Sequence, residues 1–262
     1  MDLSISGKRA LVLAAGGGLG SAIATALVAE GVDVFLTDWY KVTLDQVKAD
    51  LQALALVRVE ARLCNLAKPD EIDALCDAAL ASFGGIDIVV NITGGPPSGS
   101  LIVVDDETWH KEFDAMVLSV FRVTRRLLPG MRERKWGRIL TCTSSGIIEP
   151  IANLGISNAL RTTLAPWSKT LANEVASEGV TVNVLAPGRI HTKRVDELDK
   201  AAAERQGKLV DEVVRQSLAG IPAGRYGRPD EFASVATFLV SERASYITGS
   251  IIRVDGGLIK SL

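Results

Sequence analysis

Seven short runs of apolar and β-branched residues, each followed by a longer stretch of helical spacing, are what most constrain the fold of this chain. The runs are "RALVLAA", "DVFLTD", "VRVEARL", "IDIVVN", "GRILTCTS", "VTVNVLAP" and "SIIRVDG". They lack the apolar–polar alternation of a half-exposed sheet, so they predict strands buried on both faces. Helices are predicted over 19–30, 41–54, 70–83, 106–133, 155–178 and 229–241. Strand and helix in strict rotation predict an α/β fold with a doubly wound, mostly parallel sheet and right-handed crossovers. No repeat or Pro/Gly linker divides the chain, and 262 residues suit one domain.

Two segments break the rhythm. Lys8 and Arg9 precede twenty uncharged residues, Ala10 to Ala29, which superficially resemble a targeting or membrane segment. The "GGGLG" at its centre costs a continuous helix about 1 kcal/mol per glycine, so strand, turn and helix is the better reading. The stretch 192–222, rich in Ala, Glu, Lys and Arg, is too long for a plain connection. It predicts a helical insertion that covers a ligand crevice at the carboxyl ends of the strands.

Composition excludes several classes. A net charge of −2 leaves no basic footprint for nucleic acid or an anionic membrane. Three cysteines without CxxC spacing and only two histidines give no metal site. The cysteines read as small buried hydrophobes in a reducing compartment, which predicts a cytoplasmic protein.

The chemistry starts at the first strand-to-helix bend. Glycines 16, 17, 18 and 20 permit positive φ and close backbone approach, so that amides of the turn and helix start face a pyrophosphate. Asp38, at the end of the second strand, stands where an acid bonds the adenosine ribose. A carboxylate there repels a 2′-phosphate and no arginine follows, so NAD(H) is expected over NADP(H). The competing role for Asp38 is a solvated turn carboxylate or a helix cap.

From end to end the chain resembles the short-chain dehydrogenase/reductase family, whose members have the Rossmann fold, and most of all its 3-oxoacyl-carrier-protein reductase branch. The resemblance rests on "LAAGGGLG" (13–20), "NITG" (91–94), "GRILTCTSS", "VNVLAPGRIHT" and "ASYITGSIIRVDGG", in the family's order and spacing. It implies that Gly16, Gly18, Leu19 and Gly20 line the pyrophosphate turn and that Asn65 and Leu66 flank the adenine. Asn91 and Gly94 would abut the cofactor, and Pro187, Gly188, Ile190 and Thr192 would hold its nicotinamide end. Ser144 aligns with the serine that bonds the substrate carbonyl. The resemblance also implies a carbonyl or alcohol substrate, and a homo-oligomer, dimer or tetramer, built on the segments 106–133 and 155–178.

Departures gather where the chemistry belongs. Ala14 places a Cβ where the family has glycine, which a negative φ would accommodate. Met116 replaces the asparagine of the central helix. Ser157 and Arg161 replace the tyrosine and lysine. No shift of register restores the pair, because Tyr40, Tyr226 and Tyr246 are followed four residues on by Leu44, Asp230 and Ser250. With "GGPP" at 94–97, the segment "ISNALR" resembles a divergent subgroup that lacks the YxxxK pair.

A serine hydroxyl is a far weaker acid than a phenol, and arginine effectively never releases its proton. Three functions stay open. In the first, an oxidoreductase uses Ser144, Ser157 and Arg161 on the carbonyl, with a proton from water, the substrate or His191. In the second, an NAD-binding sensor or partner subunit does not turn its nucleotide over. In the third, the same fold runs a non-redox reaction.

Overall fold

From the first strand, Ala10 and Val12 enter one hydrophobic core and Leu11 and Leu13 the other, and all four are fully buried. That two-sided burial is what the unalternating apolar runs require. In the computed structural model, which describes residues 2–54 and 56–261, the seven strands are β1 (Arg9–Val12), β2 (Asp33–Asp38), β3 (Val59–Leu63), β4 (Ile88–Asn91), β5 (Gly137–Cys142), β6 (Val180–Pro187) and β7 (Ile251–Val254). They form one sheet in the order β3-β2-β1-β4-β5-β6-β7, with every pairing parallel. The order reverses between β1 and β4, and in a sheet of this kind ligands bind beyond the carboxyl ends of the strands at that reversal.

The helices are α1 (Gly18–Ala29), α2 (Lys41–Leu54), α3 (Pro69–Phe83), α4 (Asp106–Phe113), α5 (Ser119–Glu133), α6 (Gly155–Val175), α7 (Lys193–Gln206), α8 (Val210–Ala219) and α9 (Pro229–Leu239). Ile23 and Leu27 of α1, Leu44 and Leu51 of α2 and Phe232 of α9 cover one face of the sheet. Leu75 of α3, Val123 and Leu127 of α5 and Val175 of α6 cover the other. The three cysteines are free and buried, and no described helix is long and apolar enough to cross a membrane.

The long helix expected over 106–133 has an interruption. Between α4 and α5 the backbone widens into a π turn, Asp114–Leu118, and Met116 sits there, buried. Such bulges recur at functional sites. The 192–222 stretch is α7 and α8, joined at the left-handed Gly207. Asp199 pins α7 from within: it is buried and accepts hydrogen bonds from the Arg189 guanidinium and from Tyr226 Oη, the latter at 2.8 Å.

At the amino ends of the strands Asp87 is 4% exposed and accepts from Arg9 Nε and Nη2, both at 2.7 Å, and from Arg134 Nε at 3.0 Å. Burial alone would raise its pKa. The hydrogen bonds and charges of the two arginines outweigh this and hold the carboxyl below its ordinary 3.8. A depressed folded-state pKa contributes stability above the unfolded value, and that contribution is lost as the pH falls through the folded one. Asp87→Asn is therefore expected to cost on the order of 3 kcal/mol near neutrality. The deficit should shrink on acidification below about pH 4, as followed by thermal melts. A deficit that does not vary with pH would show that the ion pairs are not its source.

Candidate active site

Residues 13–15 extend β1 into the bend. Leu13 N–H donates to Val90 O (3.0 Å) and Ala15 N–H to Thr37 O (2.9 Å), locking the chain between β4 and β2. Ala14 lies between them with φ +50°, in the left-handed region, so the expectation of a negative φ is corrected. The two flanking strand bonds dictate the conformation and the Cβ tolerates it. Left-handed backbone costs a non-glycine residue about 1–2 kcal/mol, partly offset by the greater chain entropy that glycine loses on folding. Ala14→Gly is accordingly expected to stabilise the protein by about 0.5–1 kcal/mol in chemical denaturation. Destabilisation would mean that packing of the Ala14 methyl outweighs the strain.

Gly20 allows α1 to close on this bend, since a Cβ there would fall 2.1 Å from Ala14 O. Gly18 takes φ +55°, and its face lies toward Thr192, whose Cγ2 would be 3.7 Å from an added Cβ. The glycine bend and the loop after β6 are thus neighbours. The first-turn amides of α1 at Gly18, Leu19 and Gly20 have no intrahelical acceptor, which makes them a cradle suited to an anion.

Beside the bend, Ala14, Asp38, Trp39, Asn65, Leu66, Gly94 and Ala115 line a crevice of about 170 Å³. It brings together four of the expected residues, Asp38, Asn65, Leu66 and Gly94, and adds Trp39. That tryptophan was visible in the sequence as the residue after Asp38, but nothing there showed that it lines the crevice, which it does while staying two-thirds exposed. Its crevice and cradle suit an adenine dinucleotide. A larger hollow near Pro129, Arg132 and Glu178 lies at the opposite, amino-terminal end of the sheet, and its Arg132–Glu178 pair closes on itself.

Asp38 spends its carboxylate on the backbone. Oδ2 accepts from Gly16 N–H (2.9 Å), and Oδ1 accepts from Trp39 N–H (2.7 Å) and Tyr40 N–H (3.1 Å). It therefore acts as a turn carboxylate and not as a helix cap, since all three donors precede α2. Asn65 likewise closes a turn, its Oδ1 accepting from Ala67 N–H (3.0 Å) ahead of α3. Asn91 is fully buried, its Nδ2 3.4 Å from Thr141 Oγ1 and its Oδ1 without a partner, so it braces β4 against β5 rather than lining the crevice. Pro187 ends β6, and Gly188 N–H donates to Val254 O (2.9 Å). Ile190 is buried, in a bridge to Gly227. Thr192 precedes α7.

The residues in place of the tyrosine and lysine sit on the first turns of α6. Arg161 donates from Nε to Ser157 Oγ (3.2 Å), from Nη1 to Thr93 Oγ1 (3.3 Å) and Cys142 O (3.4 Å), and from Nη2 to Thr93 O (3.3 Å) and Gly94 O (2.8 Å). All five N–H groups are taken, every acceptor is neutral, and among the described residues no carboxylate pairs with it. Burial pushes its pKa down to about 10, the Cys142 thiol acts against that, and the positive charge of Arg194 acts with it. Arg161 stays protonated at neutral pH and braces the ends of β4 and β5. Ser144 Oγ accepts from Gly146 N–H (3.0 Å).

No phenol replaces the missing one. Tyr226 is held on Asp199, and burial pushes it above its ordinary 10, while Tyr40 and Tyr246 are exposed. His191, two-thirds exposed, faces Asp196 across 3.3 Å.

Fold and crevice together place the chain in the class of doubly wound dinucleotide-binding proteins. A family model described as enoyl-(acyl carrier protein) reductase matches residues 13–259. The 3-oxoacyl-[acyl-carrier-protein] reductase FabG of Salmonella typhimurium is 35% identical over 258 residues, 98% of this chain and 99% of that one. L-sorbose reductase of Gluconobacter frateurii, solved with NADPH and L-sorbose, superposes with a TM-score of 0.95 at 33% identity over the whole of both chains. YwfH, an NADPH-dependent reductase involved in bacilysin biosynthesis, superposes at 0.93 with 26% identity, over 98% of this chain and 100% of that one.

The chain belongs to the short-chain dehydrogenase/reductase family of oxidoreductases. The NADPH of these solved relatives overturns the expectation of NAD(H). The inference from Asp38 assumed a carboxylate free to face the ribose, whereas here three backbone amides engage it.

Proposed function

We propose that this protein is an NADP(H)-dependent reductase of small carbonyl compounds in which two serine hydroxyls, rather than a tyrosine–lysine pair, receive the substrate oxygen. The observation that carries this reading is the Arg161–Ser157 bond. Each serine accepts an N–H at its oxygen, Ser144 from Gly146 and Ser157 from Arg161, which leaves its own O–H proton available to donate. Accepting from a guanidinium polarises the Ser157 O–H and makes it the stronger donor. Two such donors stabilise the charge that develops on a carbonyl oxygen, each worth about 10²–10³ in rate. Solvent then supplies the proton, since no buried acid stands at the site.

When bound, the nicotinamide cofactor supplies the hydride. Gly18, Leu19 and Gly20 hold its pyrophosphate, Asp38, Trp39, Asn65 and Leu66 its adenosine, and Pro187, Gly188, Ile190 and Thr192 its nicotinamide end. Helices α7 and α8 close the substrate crevice. The protein assembles as a homo-oligomer through α5 and α6, as the family resemblance implies; within the chain their Phe121 and Trp167 rings stack 4.6 Å apart.

Fluorescence titration with NADPH, followed by a panel of carbonyl compounds monitored at the nicotinamide absorbance, tests the reading. NADPH binding with measurable oxidation supports it. Binding without oxidation of any compound shifts the assignment to a nucleotide-binding subunit, a role the saturated Arg161 also suits. Failure to bind NADPH rejects the reading.

A further inference from the structure

Arg194, the second residue of α7, reaches the segment that follows Gly94 at the edge of the crevice. Its Nη2 donates to Pro96 O at 2.8 Å, and its guanidinium rests against Gly95, where an added Cβ would lie 2.9–3.0 Å from Nε, Cζ and Nη2. Arg161 holds Thr93 and Gly94 from the core side. Two guanidiniums thus grip successive residues of the one lip, 93–96.

Their hydrogen bonding differs sharply. Arg161 has used all five N–H groups, whereas Arg194 has used one, and its only acidic neighbour among the described residues, Glu197, is 3.9 Å away and half exposed. The other acids nearby have their own partners: Asp199 is bonded to Arg189 and Tyr226, and Asp196 faces His191. A buried cation with only neutral acceptors and a second cation with an unfilled donor fork leave this end of the crevice positive. Arg194 is itself two-fifths exposed, so its fork is open to an incoming anion, and the planar fork matches a carboxylate.

We infer that the substrate is a carbonyl compound that also bears a carboxylate, and that Arg194 is the residue that recognises the carboxylate. This rests on the reductase reading above. In the reaction the carbonyl π bond opens, the carbon takes a hydride from the reduced nicotinamide, and the oxygen takes one proton from water. The carboxylate is unchanged and serves only to orient the molecule beneath α7.

Calorimetric titration of malonate and of its neutral isostere malonamide, into protein with and without NADPH, tests the inference without requiring turnover. Malonate is expected to bind at least about tenfold more tightly, the size of a charge-assisted bond. Arg194→Gln should erase that preference, while Lys193→Gln, which removes the same charge from the adjacent exposed position, should retain it. Equal affinity for the two probes overturns the proposal, as does an equal loss in both variants. Malonate selectivity that depends on Arg194 in a protein unable to bind NADPH would uphold the anion site and reject the reductase reading. NADPH binding without malonate selectivity would do the reverse.

Discussion

Gly20→Ala is expected to abolish NADPH binding and to destabilise the protein by about 3 kcal/mol, the upper part of the range for overpacking. The added methyl would lie 2.1 Å from Ala14 O, 2.8 Å from Ala14 C and 3.0 Å from Ala15 Cα. These are backbone atoms, and they cannot retreat, because Leu13 and Ala15 on either side are bonded to β4 and β2. Relief must come from α1 moving away, which carries the Gly18–Gly20 amides off the pyrophosphate. Gly17→Ala is the matched control: no atom lies within 4 Å of its added Cβ, and its φ of 168° suits any residue. Chemical denaturation and NADPH titration of the pair decide the matter. A Gly20→Ala protein with native stability and NADPH affinity would refute the close approach of turn and helix.

The double substitution Ser157→Tyr with Arg161→Lys should raise the carbonyl reduction rate by about 10²–10⁴, the typical worth of a placed acid. Tyrosine would restore a phenol on the first turn of α6. Lysine's three N–H donors can take over the carbonyls of Thr93, Gly94 and Cys142 that Arg161 now satisfies, and its shorter reach frees the tyrosine from competition for them. Arg161→Lys alone should lower the rate, since it withdraws the guanidinium that polarises Ser157. Steady-state kinetics with NADPH at saturation reads both. An inert double variant that still binds NADPH would place the deficit elsewhere, with Met116 in the π turn the next residue to examine.

Much of the architecture was legible because it repeats one physical theme. All seven expected strands form, since each is a short apolar run that only a sheet covered on both faces can bury. Expected helix limits such as 41–54 hold because Tyr40 and Leu54 bracket a clear amphipathic stretch. The π turn at 114–118 was not legible. It changes the helix by a single residue and leaves the apolar spacing almost intact, so only the five-residue backbone bond from Ser119 N–H to Asp114 O reveals it. Ala14 shows the converse. Its type argued for negative φ, yet bonds made by its two neighbours outweigh a local preference of about 1–2 kcal/mol.

At the site the division is sharper. Local order of residues was enough to place a glycine bend before a helix, to put Asp38 at the end of β2 and to show that no YxxxK pair exists, because each is a matter of which residue follows which. Where side-chain hydrogen bonds end is not a local property. That Asp38 closes on Gly16, Trp39 and Tyr40, that Arg161 saturates itself on β4 and β5, and that Arg194 crosses to Pro96 depended on segments up to 98 residues apart meeting at the carboxyl edge of the sheet. Hydrogen bonds go to the nearest unsatisfied acceptor in space, and only the folded chain determines which acceptor that is.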